Sequence, residues 1–348
     1  MKHFLLISTI TLLSLYYSTN LSAQDAIVME EDTISPLSIS GSADVYYRAN
    51  LNGDFDAAPG TSFANLPGFS LGMANVILAH EGSKAGFTAD LVFGPRGEDA
   101  TFASGSLRPV VDGLSNNSSI VNQLYAYWNI TDAITVTVGN FNTFLGYEVI
   151  SPTANYNYST SYMFSYGPFS HSGLKVDFDL GGGFSLMAGV FNPTDFTEFN
   201  FTNEYAGGVQ LGYSNDDGLG LYLNGLFSED FYQLDLTAGY DISDDLYFGL
   251  NATTAQDNFF GVAGYLQYGL SDSFSLGARV EYFSDQGLGL FELEENVIDA
   301  TLSANYTVGN LTIIPEFRID MFSTAVVPDG DVFDDSLSSF VLAAVYAF

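Results

Sequence analysis

Charges recur two residues apart near the end of the chain, where Arg279 and Glu281 form one pair and Glu316 and Arg318 another, with Asp320 just beyond. Apolar or small residues separate them, so in extended chain the charges share one face. Asp299 stands on the segment between, at the same face but closer to one rim. Two chemistries suit such a set. Facing charges of opposite sign around a wet space set a transverse field, which orients polar solutes and disfavours apolar ones. Packed together they form a salt-bridge network that stiffens a wall, although a lone exposed pair adds little. The two are compatible, and all six residues are candidates for lining whatever space that face encloses.

A second concentration is aromatic. The segment 143–170 carries Phe144, Tyr147, Tyr156, Tyr158, Tyr162, Phe164, Tyr166 and Phe169 beside a single acid, Glu148. So many large rings need somewhere to bury. Folded into a wide barrel, the segment would bury them and narrow the lumen at once. Tyr147, Glu148, Tyr156, Tyr158, Tyr162 and Tyr166 are then candidates for a constriction whose rings could stack on sugars or aromatic solutes. Packing on the wall or against a neighbouring barrel is the plainer alternative.

Catalysis has little to work with. Cys 0 removes thiol nucleophiles, thiolate metal sites and disulfides. His80 sits beside a turn and His171 at the end of the ring-rich segment, neither with a Ser or Asp partner at a recognisable spacing. The positioned base that a hydrolase needs is missing from the pattern, which reads as no enzyme. Acidic stretches at Asn52–Asp56 and Asp329–Asp335 could offer Ca²⁺ carboxylate oxygens, but neither has EF-hand spacing and a solvated acidic loop explains both. No other cofactor is expected.

The elements that must hold these residues are strands. About sixteen segments of roughly ten residues alternate with period two from Leu37 to Phe348, which is the signature of a transmembrane antiparallel up-and-down β-barrel. One face collects Leu174, Val176 and Phe178 or Leu302, Ala304 and Tyr306, and the other Asp44, Arg48, Lys175, Asp177, Asp235 and the six charges above. A charge on the lipid side costs roughly 2–4 kcal/mol at mid-bilayer, so lipid outside and water inside would enforce this sorting. A soluble β-sandwich also alternates, but its strands run about 5–6 residues. Two segments fit poorly: Phe69–His80 has no clear apolar face, and Pro315 predicts a bulge.

Connections alternate as well. Tight turns such as Trp128-Asn129-Ile130-Thr131-Asp132, Tyr240-Asp241-Ile242-Ser243-Asp244 and Tyr268-Gly269-Leu270-Ser271-Asp272 place an aromatic beside a turn-forming acid. Between them run mostly long loops, with Ser228–Asp230 and Thr254–Asn258 as short exceptions. Short turns at one end and long loops at the other put both termini on the periplasmic side with an even strand count. The final ladder Phe340, Leu342, Ala344, Tyr346, Phe348 ends on an aromatic residue and resembles the signal read by the barrel-assembly machinery.

Composition agrees with this reading. Charged residues are 14% and aromatic 15% of 348, with Gly 35, against about 25% charged in an ordinary soluble domain. Lys2, an apolar run from Phe4 to Leu15 and Leu21-Ser22-Ala23 make residues 1–23 a signal peptide, 24–36 a periplasmic tail and 37–348 the barrel. The net charge of −33 argues against binding nucleic acid and favours cations near an opening, though an acidic solvated exterior accounts for it equally.

Gly139-Asn140-Phe141-Asn142-Thr143-Phe144-Leu145-Gly146-Tyr147-Glu148, then Asn157-Tyr158-Ser159 and Pro168-Phe169-Ser170-His171-Ser172-Gly173, resemble the hallmark stretch of the OmpL-like β-barrel porin family. Asn140, Phe144 and Ser172 depart from that pattern, where a basic residue, Pro and Thr are common. The resemblance implies a Gram-negative outer-membrane channel for passive diffusion of small hydrophilic solutes, with no catalytic residues. Its surroundings would be outer-membrane lipid and lipopolysaccharide, and a homotrimer is open. A plugged or non-conducting barrel, serving as specific transporter, adhesin or structural protein, is the rival.

Overall fold

Period-two alternation becomes extended chain throughout the computed structural model, which describes residues 37–102, 118–197, 200, 202–290 and 296–348. The strands are β1 (Ser38–Asn50), β2 (Gly68–Glu81), β3 (Ala85–Phe93), β4 (Val121–Thr131), β5 (Ile134–Asn142), β6 (Ser170–Gly181), β7 (Phe184–Phe191), β8 (Ala206–Ser214) and β9 (Leu219–Phe227), followed by β10 (Tyr232–Ser243), β11 (Leu246–Ala255), β12 (Phe259–Ser271), β13 (Phe274–Asp285), β14 (Asn296–Val308) and β15 (Leu311–Phe322). A short hairpin, β16 (Val327–Asp329) and β17 (Val332–Asp334), precedes β18 (Ser336–Ala347). Each barrel strand pairs antiparallel with its sequence neighbour, and β18 pairs with both β15 and β1 to close a sixteen-stranded barrel. At the seam Gly41 and Phe348 exchange two backbone hydrogen bonds of 3.0 Å. The signal peptide and tail expected in 1–36 lie outside the described residues.

The two faces sort as lipid requires. No described outward strand position carries Asp, Glu, Lys or Arg, and exposed Leu302, Val280, Leu342 and Phe348 cover that face. Trp128, Tyr240, Tyr268 and Tyr306 point outward beside the tight turns, as an aromatic girdle does. Several of these turns contain a register shift, at Asn129/Thr131, Asp179/Gly181, Asp241/Ser243 and Gly269/Ser271. The extra residue is Ile130, Leu180, Ile242 or Leu270, each exposed outward. The turn formula is therefore a bulge as well as a turn.

Both misfits have physical explanations. In β2 a register shift opposite Ala43–Val45 takes up Gly72 and Met73, so the outward set runs Phe69, Leu71 and then Ala74, Val76, Leu78. The strand has an apolar face whose parity changes half-way. Met73 N–H donates to Asp44 Oδ1 at 3.0 Å, and a Cβ at Gly72 would overlap that carboxylate. The bulge expected at Pro315 is absent: the registers to β14 and β18 run unshifted past it. Pro315 points outward opposite Leu342, and the β14 ladder has a gap there that accommodates the missing N–H.

Candidate functional site

The ring-rich segment lies inside the barrel. It leaves β5, crosses the inner faces of β8 to β13, reaches β1 and β2, and returns through a short helix (Tyr162–Tyr166) to β6. Ser161 caps that helix by accepting from Phe164 N–H. What holds the segment down is the row of charges on β13–β15. Strand register places Glu281, Asp299 and Asp320 in one row, Arg279, Thr301 and Arg318 in the next, and Ser303 with Glu316 below them.

The arginines and the acids do different work. Arg279 pairs with Asp299 at 2.7 Å and with Glu148 of the loop at 2.6 Å, and donates to Ser159 O at 2.8 Å. Arg318 pairs with Asp320 at 2.7 Å and Asp299 at 2.9 Å, donates to Thr160 O at 2.7 Å, and lies over the Tyr162 ring. Glu281 accepts Tyr162 N–H and Met163 N–H, both at 2.7 Å. Glu316 accepts Tyr158 N–H at 2.6 Å, Ser159 N–H at 3.1 Å and the Ser303 hydroxyl at 2.8 Å. Glu148 accepts Ser161 N–H at 2.7 Å, so carboxylates outnumber arginines here and the loop backbone supplies the balance of donors.

Glycines receive the rings. A Cβ at inward-facing Gly208 would meet Phe144 at 2.6 Å, one at Gly249 would meet Tyr147 Oη at 2.5 Å, and one at Gly277 would meet Tyr156 at 2.8 Å. Gly261 accommodates Met163 in the same way. Tyr147 also stacks on Tyr265, centroids 4.1 Å apart and planes at 19°. Tyr158 tilts against Tyr46 and its hydroxyl donates to Asp44, while Tyr166 donates to Gly60 O at 2.6 Å and burial pushes its phenol up to about 12.

The sequence-predicted set thus assembles, but not as a water-lined ring. Arg279, Glu281, Asp299 and Asp320 are 0% exposed, Glu316 and Arg318 1%, and Tyr158 and Tyr162 0%. These charges face inward as expected and are covered by the loop, so the transverse field expected of them acts on the loop rather than on open water. Tyr147, Tyr156 and Tyr166 are half-buried. Asp299 is level with Glu281 and Asp320, one row from the arginines.

Two arginines were missing from the expected set. Arg96, from the β3–β4 connection, donates to Tyr158 O at 2.7 Å and Ile150 O at 3.2 Å and sits 4.5 Å from the Phe63 centroid. Arg48 of β1 holds Ala57 O at 2.8 Å. Their signal was scarcity: with Lys+Arg 8 in the chain, Arg48, Arg96, Arg279 and Arg318 are half of all cations, and all four are buried.

Elsewhere, His171 Nε2 lies 3.0 Å from Thr143 Oγ1, packed between Phe144 and Phe191. His80 lies against Phe87. The two acidic loops meet each other, Asp54 accepting Gly330 N–H at 3.0 Å. Among the described residues no three His, Asp or Glu side chains converge as metal ligands.

The family model described as "Putative beta-barrel porin-2, OmpL-like" matches residues 36–348. The chain belongs to this family. No curated protein matches the sequence. Among solved structures, the anion-selective porin from Comamonas acidovorans shares 11% identity at TM-score 0.58, covering 90% of this chain and 99% of that one. OmpT, an outer membrane protein of Vibrio cholerae, in its in-vitro folded trimer form, gives 15% and 0.56 over 90% and 99%. A variant of the Rh. blastica porin gives 14% and 0.54 over 90% and 100%. At such identities these likenesses show the barrel fold that this OmpL-like porin shares with them.

Proposed function

We propose that this OmpL-like porin is a passive diffusion channel of the Gram-negative outer membrane for small hydrophilic solutes, favouring cations, with loop 143–170 as its constriction and no catalytic role. The observation that carries the reading is the division of the inner wall. On β13–β15 the charges are consumed by the seated loop, whereas near the turn end Asp177, Asp179 and Asp241 stand half-buried or exposed, and Lys175 pairs with Asp177. A wet wall richer in carboxylates than cations raises the local concentration of cations. A tight network under the loop fits a fixed constriction better than a lid, because breaking one partner of a buried pair is costly.

Residues 1–23 would be removed on export, leaving the termini in the periplasm, with the aromatic end of β18 presented to the barrel-assembly machinery and the outer face to lipid and lipopolysaccharide. A homotrimer is supported by the trimer form among the similar structures. Reconstitution of the mature protein in planar bilayers tests the reading. Stepwise current with a cation-favouring reversal potential is expected; a closed trace at every voltage would leave the plugged transporter, adhesin or structural barrel in its place. Ca²⁺ at the paired acidic loops is a separate minor proposal, checked by calorimetry of chelator-treated protein.

A further inference from the structure

Beside the seated loop, at the long-loop end, is a cavity of about 280 Å³ that the charge network does not use. That is just under the range of roughly 300–1,000 Å³ typical of small-ligand sites. Its walls come from four places in the chain: Tyr166 and Pro168 at the end of the loop, Pro193 and Tyr205 from the β7–β8 connection, Phe231 before β10, and Asn258 before β12. Their rings give it apolar faces. Its floor includes Gln233, which is 4% exposed and whose amide nitrogen lies close to the backbone of Gly167. The amide lies on the cavity wall beside Gly167, where the absence of a side chain leaves it room to reach a ligand.

The charges on the cavity do not make it a cation site. Asp195 Oδ1 is committed to Phe169 N–H and Ser170 N–H, both at 2.8 Å, and burial pushes this carboxyl up to about 7. Glu204 is exposed at the rim. What faces inward is ring surface together with neutral groups that both donate and accept, the amides of Gln233 and Asn258 and the hydroxyl of Ser228. A sugar presents the matching pair of surfaces, an apolar C–H face and a ring of hydroxyls.

We propose that this cavity is a subsite for a neutral polyhydroxylated solute of hexose size, its C–H face on Tyr166 and Phe231 and its hydroxyls bonded to the Gln233 amide. The purpose, a first stop above the constriction, rests on the channel reading; the binding does not.

The test is calorimetric titration of the mature protein in detergent micelles with glucose, and with choline as a cationic probe of the same aromatic walls. Ion conductance is recorded on the same preparation. Saturable glucose binding is expected, at least about tenfold weaker in Gln233→Leu and in Phe231→Ala while both variants keep a heat-modifiable barrel. Absence of saturable glucose binding, an unchanged affinity in Gln233→Leu, or binding of choline alone would overturn the subsite. Conductance without glucose binding removes the subsite and leaves the channel; glucose binding to a barrel that passes no current upholds the subsite and removes the channel.

Discussion

The inner faces of β13–β15 and of β6–β7 begin from one pattern, alternating residues with charges turned inward, and end in opposite states. On the first, Arg279, Glu281, Asp299 and Arg318 are dry, and each is ion-paired or hydrogen-bonded. On the second, Lys175 pairs with Asp177 at 3.0 Å while their side chains keep 26% and 38% of their exposure. The difference comes from what is laid against the wall. The loop offers carbonyls to arginines and N–H groups to carboxylates, so charges beneath it become anchors, whereas those left bare stay available to ions. An inward charge in such a barrel has no fixed role until the loop's path is known.

Removing the cover should have the largest effect. Deleting 155–162 takes away the N–H groups held by Glu316 and Glu281 as well as the rings on β13, and conductance in planar bilayers should rise several-fold; an unchanged value would exclude this segment as the constriction. Next comes breaking an anchor while keeping the cover. Arg279→Met leaves Glu148 and Asp299 short of a partner, a loss of about 3–5 kcal/mol, read as a lower denaturant midpoint together with noisy, higher-conductance substates.

Filling a socket should cost less. Gly249→Leu occupies the space of the Tyr147 ring and breaks its stack on Tyr265, worth about 0.5–1.5 kcal/mol, so flickering conductance is expected with little change in barrel stability. On the bare wall, Lys175→Ala removes the counter-charge of an exposed pair; stability should hold and the reversal potential should shift further toward cations. The smallest effect concerns Asp195, outside both walls. Its carboxyl is raised from 3.8 to about 7 in the fold, so the native state holds a proton that the unfolded chain has lost. Its contribution is full below about pH 4 and fades as pH rises to about 7. Protection of the Phe169 and Ser170 amides from exchange, taken relative to the intrinsic rate at each pH, should fall across that window in the wild type and stay level in Asp195→Asn.

Strand number, facing and loop lengths were readable in the sequence because each is local: a two-residue period, a turn with its acid, a loop with its length. The parity change at Gly72 and Met73 was not, because its cause is Asp44 on another strand. Pro315 misled for a related reason, since a gap in one ladder replaced the bulge. The site was half readable. The rings of 143–170 announced that they needed burial, and the charges on β13–β15 that they faced inward. That the two belong together was hidden in contacts such as Tyr158 to Glu316 and Tyr162 to Glu281, 158 and 119 residues apart. The inward glycines gave no signal of their own, because a glycine in a strand reads as weakness until the ring that fills its place is known.

The closing bond pair between Gly41 and Phe348 bears on assembly. The segment that crosses the interior is translated well before β13–β15, so its moorings do not exist when it first emerges. It must wait, rings uncovered, until the last third of the polypeptide arrives, and only then can the first and last strands zip together around it. A carrier in transit would have to shield those rings, and a product truncated before β18 would keep both an open flank and an unmoored interior.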